Sequence, residues 1–229
     1  MSGCTPGADS AETEGVTKFV LDFLMAPPVE PGLIVTLNAW RTVLYRLGLT
    51  GRDRHRYGGL AYGNVSQRLS PATGAESASA FLISGTQTGG LPVLESRHYS
   101  CVASYDLSRN RISATGPLPP SSEALTHAAV YSADPRVNCV IHVHSPEIWQ
   151  LRSDLKLTTV PPEVAYGTPE MAYAIAAAAK RESFPVVAMA GHRDGLISCG
   201  ANVRDAAERM IETLAHALAL GAAASPDQE

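Results

Sequence analysis

His142 and His144 lie two residues apart in the run Val137-Asn138-Cys139-Val140-Ile141-His142-Val143-His144. That spacing could do chemistry. The run is apolar and partly β-branched, which predicts a strand, and alternate side chains of a strand point to opposite faces. Val137, Cys139, Ile141 and Val143 are expected to pack into the core, while both imidazoles leave from the other face. Two neutral imidazoles on one strand face can share a divalent cation. A hydrogen-bonded or surface histidine pair is the plain alternative, and HxH alone does not exclude it.

Further groups give the pair a context. Pro119-Pro120-Ser121-Ser122-Glu123 opens the helix expected before the histidine strand. A carboxylate belongs naturally in a first helical turn, and the serine hydroxyls with free N–H groups there could bind an anion. Taken alone, this is only a capped helix. Gly63-Asn64-Val65-Ser66 and Ile83-Ser84-Gly85-Thr86-Gln87-Thr88-Gly89-Gly90 read as glycine-rich loops next to strands. They could offer amides and hydroxyls to an oxygen-rich ligand, although each singly is an ordinary turn and neither has nucleotide-loop spacing. A turn, Gly191-His192-Arg193-Asp194, supplies one more imidazole and one more carboxylate.

These residues need a scaffold. Phe19, Phe23 and Leu24 suggest a first helix ending before Pro27-Pro28, and Leu33 to Leu47 recur at helical spacing with Gly48 as the stop. Residues 51–64 read as a loop. The period then shifts to two, with strands expected at 65–69, 81–84, 99–105, 111–114 and 138–144. Ser121 or Ser122 caps a helix to about Tyr131, and Thr168 with Pro169 opens another to about Arg181. Runs 186–190 and 195–199 form a hairpin, and Asn202 caps a last helix through Leu220. Residues 1–12 read as a disordered tail, 13–220 as one α/β domain with a largely antiparallel central sheet, and 221–229 as a second tail.

Composition narrows the function. With 45% hydrophobic and 17% charged residues the chain is ordinary for a globular protein, and a net charge of -4 gives no electrostatic grip on nucleic acid. No apolar stretch is long enough for a bilayer, and the first fifteen residues do not read as a signal peptide. Cys4, Cys101, Cys139 and Cys199 are scattered, as expected of free thiols, so the expected compartment is the cytoplasm.

In their order, GNVS at 63–66, LISGT at 82–86, PSSE at 120–123, HVHS at 142–145, YGT at 166–168 and the histidine-bearing hairpin at 191–195 resemble the class II aldolase/adducin family. The resemblance spans about residues 33–220. It implies a three-layer α/β/α sandwich, a homotetramer, and a lyase acting on a small hydroxy-carbonyl (sugar-like) compound through an enediolate-like intermediate. It also implies His142 and His144 as metal ligands and Glu123 as the proton shuttle. Asn64, Thr86, Gln87, Ser121 and Ser122 fall in the substrate or phosphate pocket. The implied ion is divalent: zinc first, with Fe(II) or Mn as alternatives.

Three features depart from the family's pattern. Asp194 stands where the third histidine is usual, with His192 two residues earlier. His192 is taken as the third ligand because imidazole completes the three-histidine set; carboxylate ligation by Asp194 is the alternative. Gln87 replaces a pocket glycine, which points away from phosphate and toward a smaller or neutral substrate. Only 21 residues separate His144 from Tyr166, so the loop that shapes substrate choice is short. Aldol cleavage, epimerisation and dehydration all fit such a site. A two-histidine, one-carboxylate iron oxygenase and a non-catalytic interaction module are the competing readings.

Overall fold

The computed structural model describes residues 16–69 and 79–224; the expected tail 1–12 and the last five residues of the expected C-terminal tail lie outside them. The first departure from expectation is near the N-terminus. Val20–Met25 is a strand, β1, and not a helix. Leu21 and Phe23 turn inward while Val20, Asp22 and Leu24 stay exposed, so the period is two. What decides it is a parallel ladder to Arg111–Gly116 (β7), reinforced by an Asp22–Arg111 ion pair at 2.8 Å.

Helix α1, Val35–Arg46, follows as expected and stops at Gly48, whose φ of 73° suits a residue without a Cβ. The segment expected to be a loop contains a small ribbon of β2 (Gly51–Arg52) and β3 (Ala61–Tyr62). Strands β4 (Asn64–Arg68), β5 (Phe81–Ser84), β6 (Tyr99–Asp106) and β7 form an antiparallel run. After α2 (Ala124–Ala133), strand β8 (Cys139–His144) inserts beside β4. Helix α3 (Pro146–Gln150) and strand β9 (Thr158–Val160) have no counterpart in the sequence reading. Thr168 caps α4 (Pro169–Arg181), its hydroxyl accepting from the Met171 N–H at 3.3 Å. Strands β10 (Val186–Met189) and β11 (Gly195–Gly200) make the expected hairpin. Helix α5 (Val203–Ala224) continues past Leu220, so the first four residues of the expected tail are helical.

The nine-stranded sheet runs β1-β7-β6-β5-β4-β8-β11-β10-β9, and only its two edge pairs, β1–β7 and β10–β9, are parallel. One face carries α2 and α4 over Phe81, Ile83, Val140 and Ile197; the other carries α1, α3 and α5 over Val65, Cys139, Ile141 and Val143. This is a three-layer α/β/α sandwich around a largely antiparallel sheet. Both faces are therefore core, and the histidine strand is buried along its whole length. Val137 precedes β8 and packs with Val140, not with Cys139 as simple alternation suggests. Cys101, Cys139 and Cys199 are free, and burial raises all three thiols above their ordinary range, Cys199 to about 12. No helix among the described residues is long and apolar enough to cross a membrane.

Candidate metal centre

Strand β8 is laddered to β4 on one side and β11 on the other, which leaves its side chains little choice of direction. His142 and His144 both point toward the α2 layer and are buried. A carbonyl only accepts, so the 3.0 Å bond between His142 Nδ1 and Leu196 O puts the hydrogen on Nδ1 and leaves the Nε2 lone pair available. That Nε2 lies 3.2 Å from His144 Nε2. Two nitrogens bound at about 2.0–2.1 Å to one tetrahedral zinc stand about 3.3 Å apart, so the observed pair is spaced as co-ligands would be. Burial, then the neighbouring imidazoles, holds both rings well below the usual histidine range. They are neutral at pH 7, the form that binds metal.

The hairpin turn brings His192 to the same place. Its ring is 5.1 Å from that of His142 and 4.7 Å from that of His144, and the potential ligand atoms of the three lie within 4.8 Å of one another. Gly195 makes room: a Cβ there would lie 3.0 Å from His192 Cδ2 and Cγ. Tyr166 backs His192 with its ring at 4.3 Å and is itself clamped beneath Lys18. Asp194 turns elsewhere. Its φ is 62°, its Oδ2 accepts from Tyr57 Oη at 2.7 Å, and its carbonyl accepts from the Ser145 N–H. The donor set of three converging imidazoles thus suits a divalent ion, and Asp194 is engaged in the turn and in the tyrosine.

Glu123 stands just ahead of α2, as its N-terminal cap residue, so the helix starts one or two residues later than a cap at Ser122 or Ser121 implies. The bend that carries it is held by Ser121, whose carbonyl accepts from Ala124 N and whose hydroxyl accepts from Glu123 N. The carboxylate is buried, with Oε1 at 3.8 Å from His192 Nδ1. One turn on, His127 Nδ1 is hydrogen-bonded to Ser66 Oγ at 2.7 Å and not to Glu123, and burial pushes its pKa down to about 3.

Asn64, Thr86, Gln87, Ser121 and Ser122 line one small cavity. It adjoins the histidines through the ladder, where Asn64 pairs with His142, and through the chain, where Ser122 precedes Glu123. Its loop side depends on Arg41 of α1, which is buried and donates to the carbonyls of Thr88 (3.1 Å), Gly89 (2.5 Å) and Leu91. Gly89 is obligatory because a Cβ would lie 2.2 Å from Tyr62 O. Arg41 escapes a sequence reading of the site, since nothing in a helical arginine marks its carbonyl partners. Tyr57 and Tyr62, whose rings pack against His144 at 4.6 and 5.4 Å, are hidden in the segment that reads as a loop. The His98 ring serves a local turn, its Nδ1 accepting from the Glu95 N–H, while the His98 carbonyl accepts from the Gly85 N–H at the cavity's edge. A larger groove of about 310 Å³ beside β10 and α5 contains none of these residues; it is open surface without converging ligand atoms.

Fold and site together define an α/β/α sandwich with a histidine-lined centre at the middle of its sheet. The sequence profile of the class II aldolase and adducin N-terminal domain matches residues 52–219, and the chain belongs to that family. Among solved structures, a sugar-phosphate aldolase from Thermotoga maritima superposes with a TM-score of 0.67 at 14% identity, covering 86% of this chain and 97% of that one. YgbL from Klebsiella pneumoniae gives 0.61 at 20% identity over 88% and 93%. L-fuculose-1-phosphate aldolase from Thermus thermophilus gives 0.60 at 18% identity over 82% and 92%. Among curated proteins, none matches in sequence.

Proposed function

We propose that the chain is a divalent-metal-dependent lyase of the class II aldolase type, acting on a small hydroxy-carbonyl compound. The observation that carries this reading is the convergence of three buried imidazoles with the buried carboxylate of Glu123. His142, His144 and His192 would hold the ion. When bound, a divalent cation draws charge from a substrate hydroxyl and carbonyl, which stabilises negative charge developing there. Glu123 takes the proton released as that charge develops and returns it to the product side, the role of a positioned general base turned general acid. Burial of Glu123 keeps water from competing for that proton. Asn64, Thr86, Ser121 and Ser122 orient the far end of the substrate. A cytoplasmic homotetramer is part of the proposal and rests on family membership, to be read by light scattering.

Support for His192 over Asp194 as third ligand comes from the engagement of Asp194 with Tyr57 and from the packing of the His192 ring over Gly195, where a Cβ would crowd it. No observation favours the iron oxygenase built on Asp194. The test is elemental analysis of protein purified without an affinity tag, followed by metal affinities of single variants. His142→Ala, His144→Ala and His192→Ala should each lose stoichiometric zinc, iron or manganese, whereas Asp194→Asn should keep it. The 3.2 Å histidine contact would also suit an N–H···N bond in a protein that never binds metal. Full occupancy in all three histidine variants, or a native protein free of metal, would sink the proposal and return the chain to a non-catalytic role.

A further inference from the structure

The cavity beside the histidines has a composition that selects among substrates. Asn64 is only 6% exposed, yet its side-chain oxygen has no hydrogen-bond partner among the described residues. A buried amide oxygen left so is unfavourable until something donates to it. Ser121 and Ser122, at 6% and 5% exposure, lie across the same space. Among the described residues no lysine, arginine or histidine lines it. Its volume is about 20 Å³, room for a group of one or two heavy atoms.

Gln87 closes the remaining side. Its φ is 59°, a left-handed backbone that favours glycine and strains a side chain with a Cβ. The strained residue folds its amide inward, and Oε1 accepts the Ala61 N–H at 3.0 Å. That consumes a backbone donor at the cavity's wall. Arg52 reaches the same Oε1 at 3.5 Å but from the exposed rim, where solvent screens its charge.

We infer that Gln87 sets the substrate class: the cavity takes the uncharged, hydroxyl-bearing end of an unphosphorylated hydroxy-carbonyl compound, and Gln87 excludes a phosphate. A phosphate dianion has only acceptor oxygens at neutral pH. Here it would meet the neutral hydroxyls of Thr86, Ser121 and Ser122 and the unsatisfied amide oxygen of Asn64, without a cation among the described lining residues and without the space for its three terminal oxygens. A hydroxyl donates to Asn64 Oδ1 and accepts from a serine, so both needs are met at once.

This inference rests on the lyase site proposed above, and the test separates the two. Zinc-loaded native protein and Gln87→Gly, with metal content measured on each sample, are titrated calorimetrically with dihydroxyacetone, dihydroxyacetone phosphate and inorganic phosphate. Native protein should bind inorganic phosphate undetectably and show no preference for the phosphate ester over dihydroxyacetone. Gln87→Gly relieves the backbone strain, so it should fold with unchanged melting temperature, bind the phosphate ester about tenfold or more tighter than native does, and acquire affinity for inorganic phosphate. A native preference of about tenfold for the phosphate ester would overturn the inference. So would a Gln87→Gly variant that gains no phosphate binding. A sample that takes up no zinc fails the metal proposal alone, because the inorganic phosphate comparison still decides the role of Gln87.

Discussion

At one end of the site His142 and His144 hang from β8, whose register is locked on both sides by β4 and β11. At the other end Thr86, Gln87 and Gly89 sit on a loop that is held to the body of the protein by Arg41, 47 positions upstream of Thr88 and on a different layer. The histidine end is ladder-built: once the strand exists, side-chain direction follows from parity. The loop end is anchor-built, and its geometry follows from one buried guanidinium that no local pattern announces. Removing what builds each end should therefore fail in different ways, a change at the histidine end losing chemistry with the fold intact and loss of the Arg41 anchor losing stability and substrate affinity with the metal retained.

The largest expected effect tests the first half of that contrast. Glu123→Gln keeps the size and the backbone bend held by Ser121, so metal content and melting temperature should match the native protein. Turnover should fall on the order of 10² or more, as when a positioned proton-transfer group is removed. Near-normal turnover on the true substrate would remove Glu123 from the chemistry.

Arg41→Met tests the other half. It deletes a buried cation that serves three loop carbonyls while keeping most of the volume. Stability should drop by roughly 2–4 kcal/mol in chemical denaturation, since hydrogen bonds from a charged donor are lost and carbonyls are left buried. Metal stoichiometry should be unchanged and KM should rise more than kcat falls. If Arg41→Met releases metal, the two ends are not separable.

How much is legible in the sequence follows the same divide. His142, His144 and the neighbouring strands can be read because period-two patterning is local and the ladder merely obeys it. The Thr168 cap and the hairpin 186–200 are legible for the same reason. Val20–Met25 misleads because Phe19, Phe23 and Leu24 also satisfy a helical spacing, and only the parallel ladder to β7, some ninety residues away, decides between them. Tyr57 and Arg41 stay hidden because their partners, Asp194 and the Thr88–Leu91 carbonyls, are distant in sequence.

Acid sharpens the comparison. His127 is fully buried and neutral in the folded protein, with its titration pushed down to about 3 from an ordinary value near 6.5. Below that ordinary value the unfolded chain takes up a proton the folded one refuses. Stability is therefore full above about pH 6.5 and falls as pH drops toward about 3, by up to about 1.4 kcal/mol per pH unit for this residue. His142 and His144 shift in the same direction in metal-free protein. Urea denaturation across this range should show His127→Gln flattening the slope, while Arg41→Met leaves it alone. Equal slopes for His127→Gln and native protein would refute the buried neutral assignment.

The smallest expected effect is also the one that most directly exposes the ladder-and-anchor distinction. Tyr57 belongs to the segment between β2 and β3, far from β8 in sequence, yet its ring packs edge-on against His144 at 4.6 Å and its hydroxyl bonds Asp194 Oδ2. Burial, with Asp194 beside it, raises the phenol above its ordinary range, so it stays a donor at neutral pH. Tyr57→Phe keeps the ring and deletes that donor, leaving Asp194, only 4% exposed, with Arg193 at 3.8 Å as a weaker companion. A hydrogen bond to a charged acceptor is worth roughly 1.5–3 kcal/mol, and partial compensation by Arg193 argues for the lower end. Metal affinity should change by less than about threefold if the ladder alone aims the imidazoles, because neither β8 nor the Leu196 carbonyl that orients His142 is disturbed. A loss of about tenfold or more is what removal of an orienting partner outside the ligand set produces. That outcome would mean that a loop residue positions His144 and His192, and the histidine end would then be anchor-built as well.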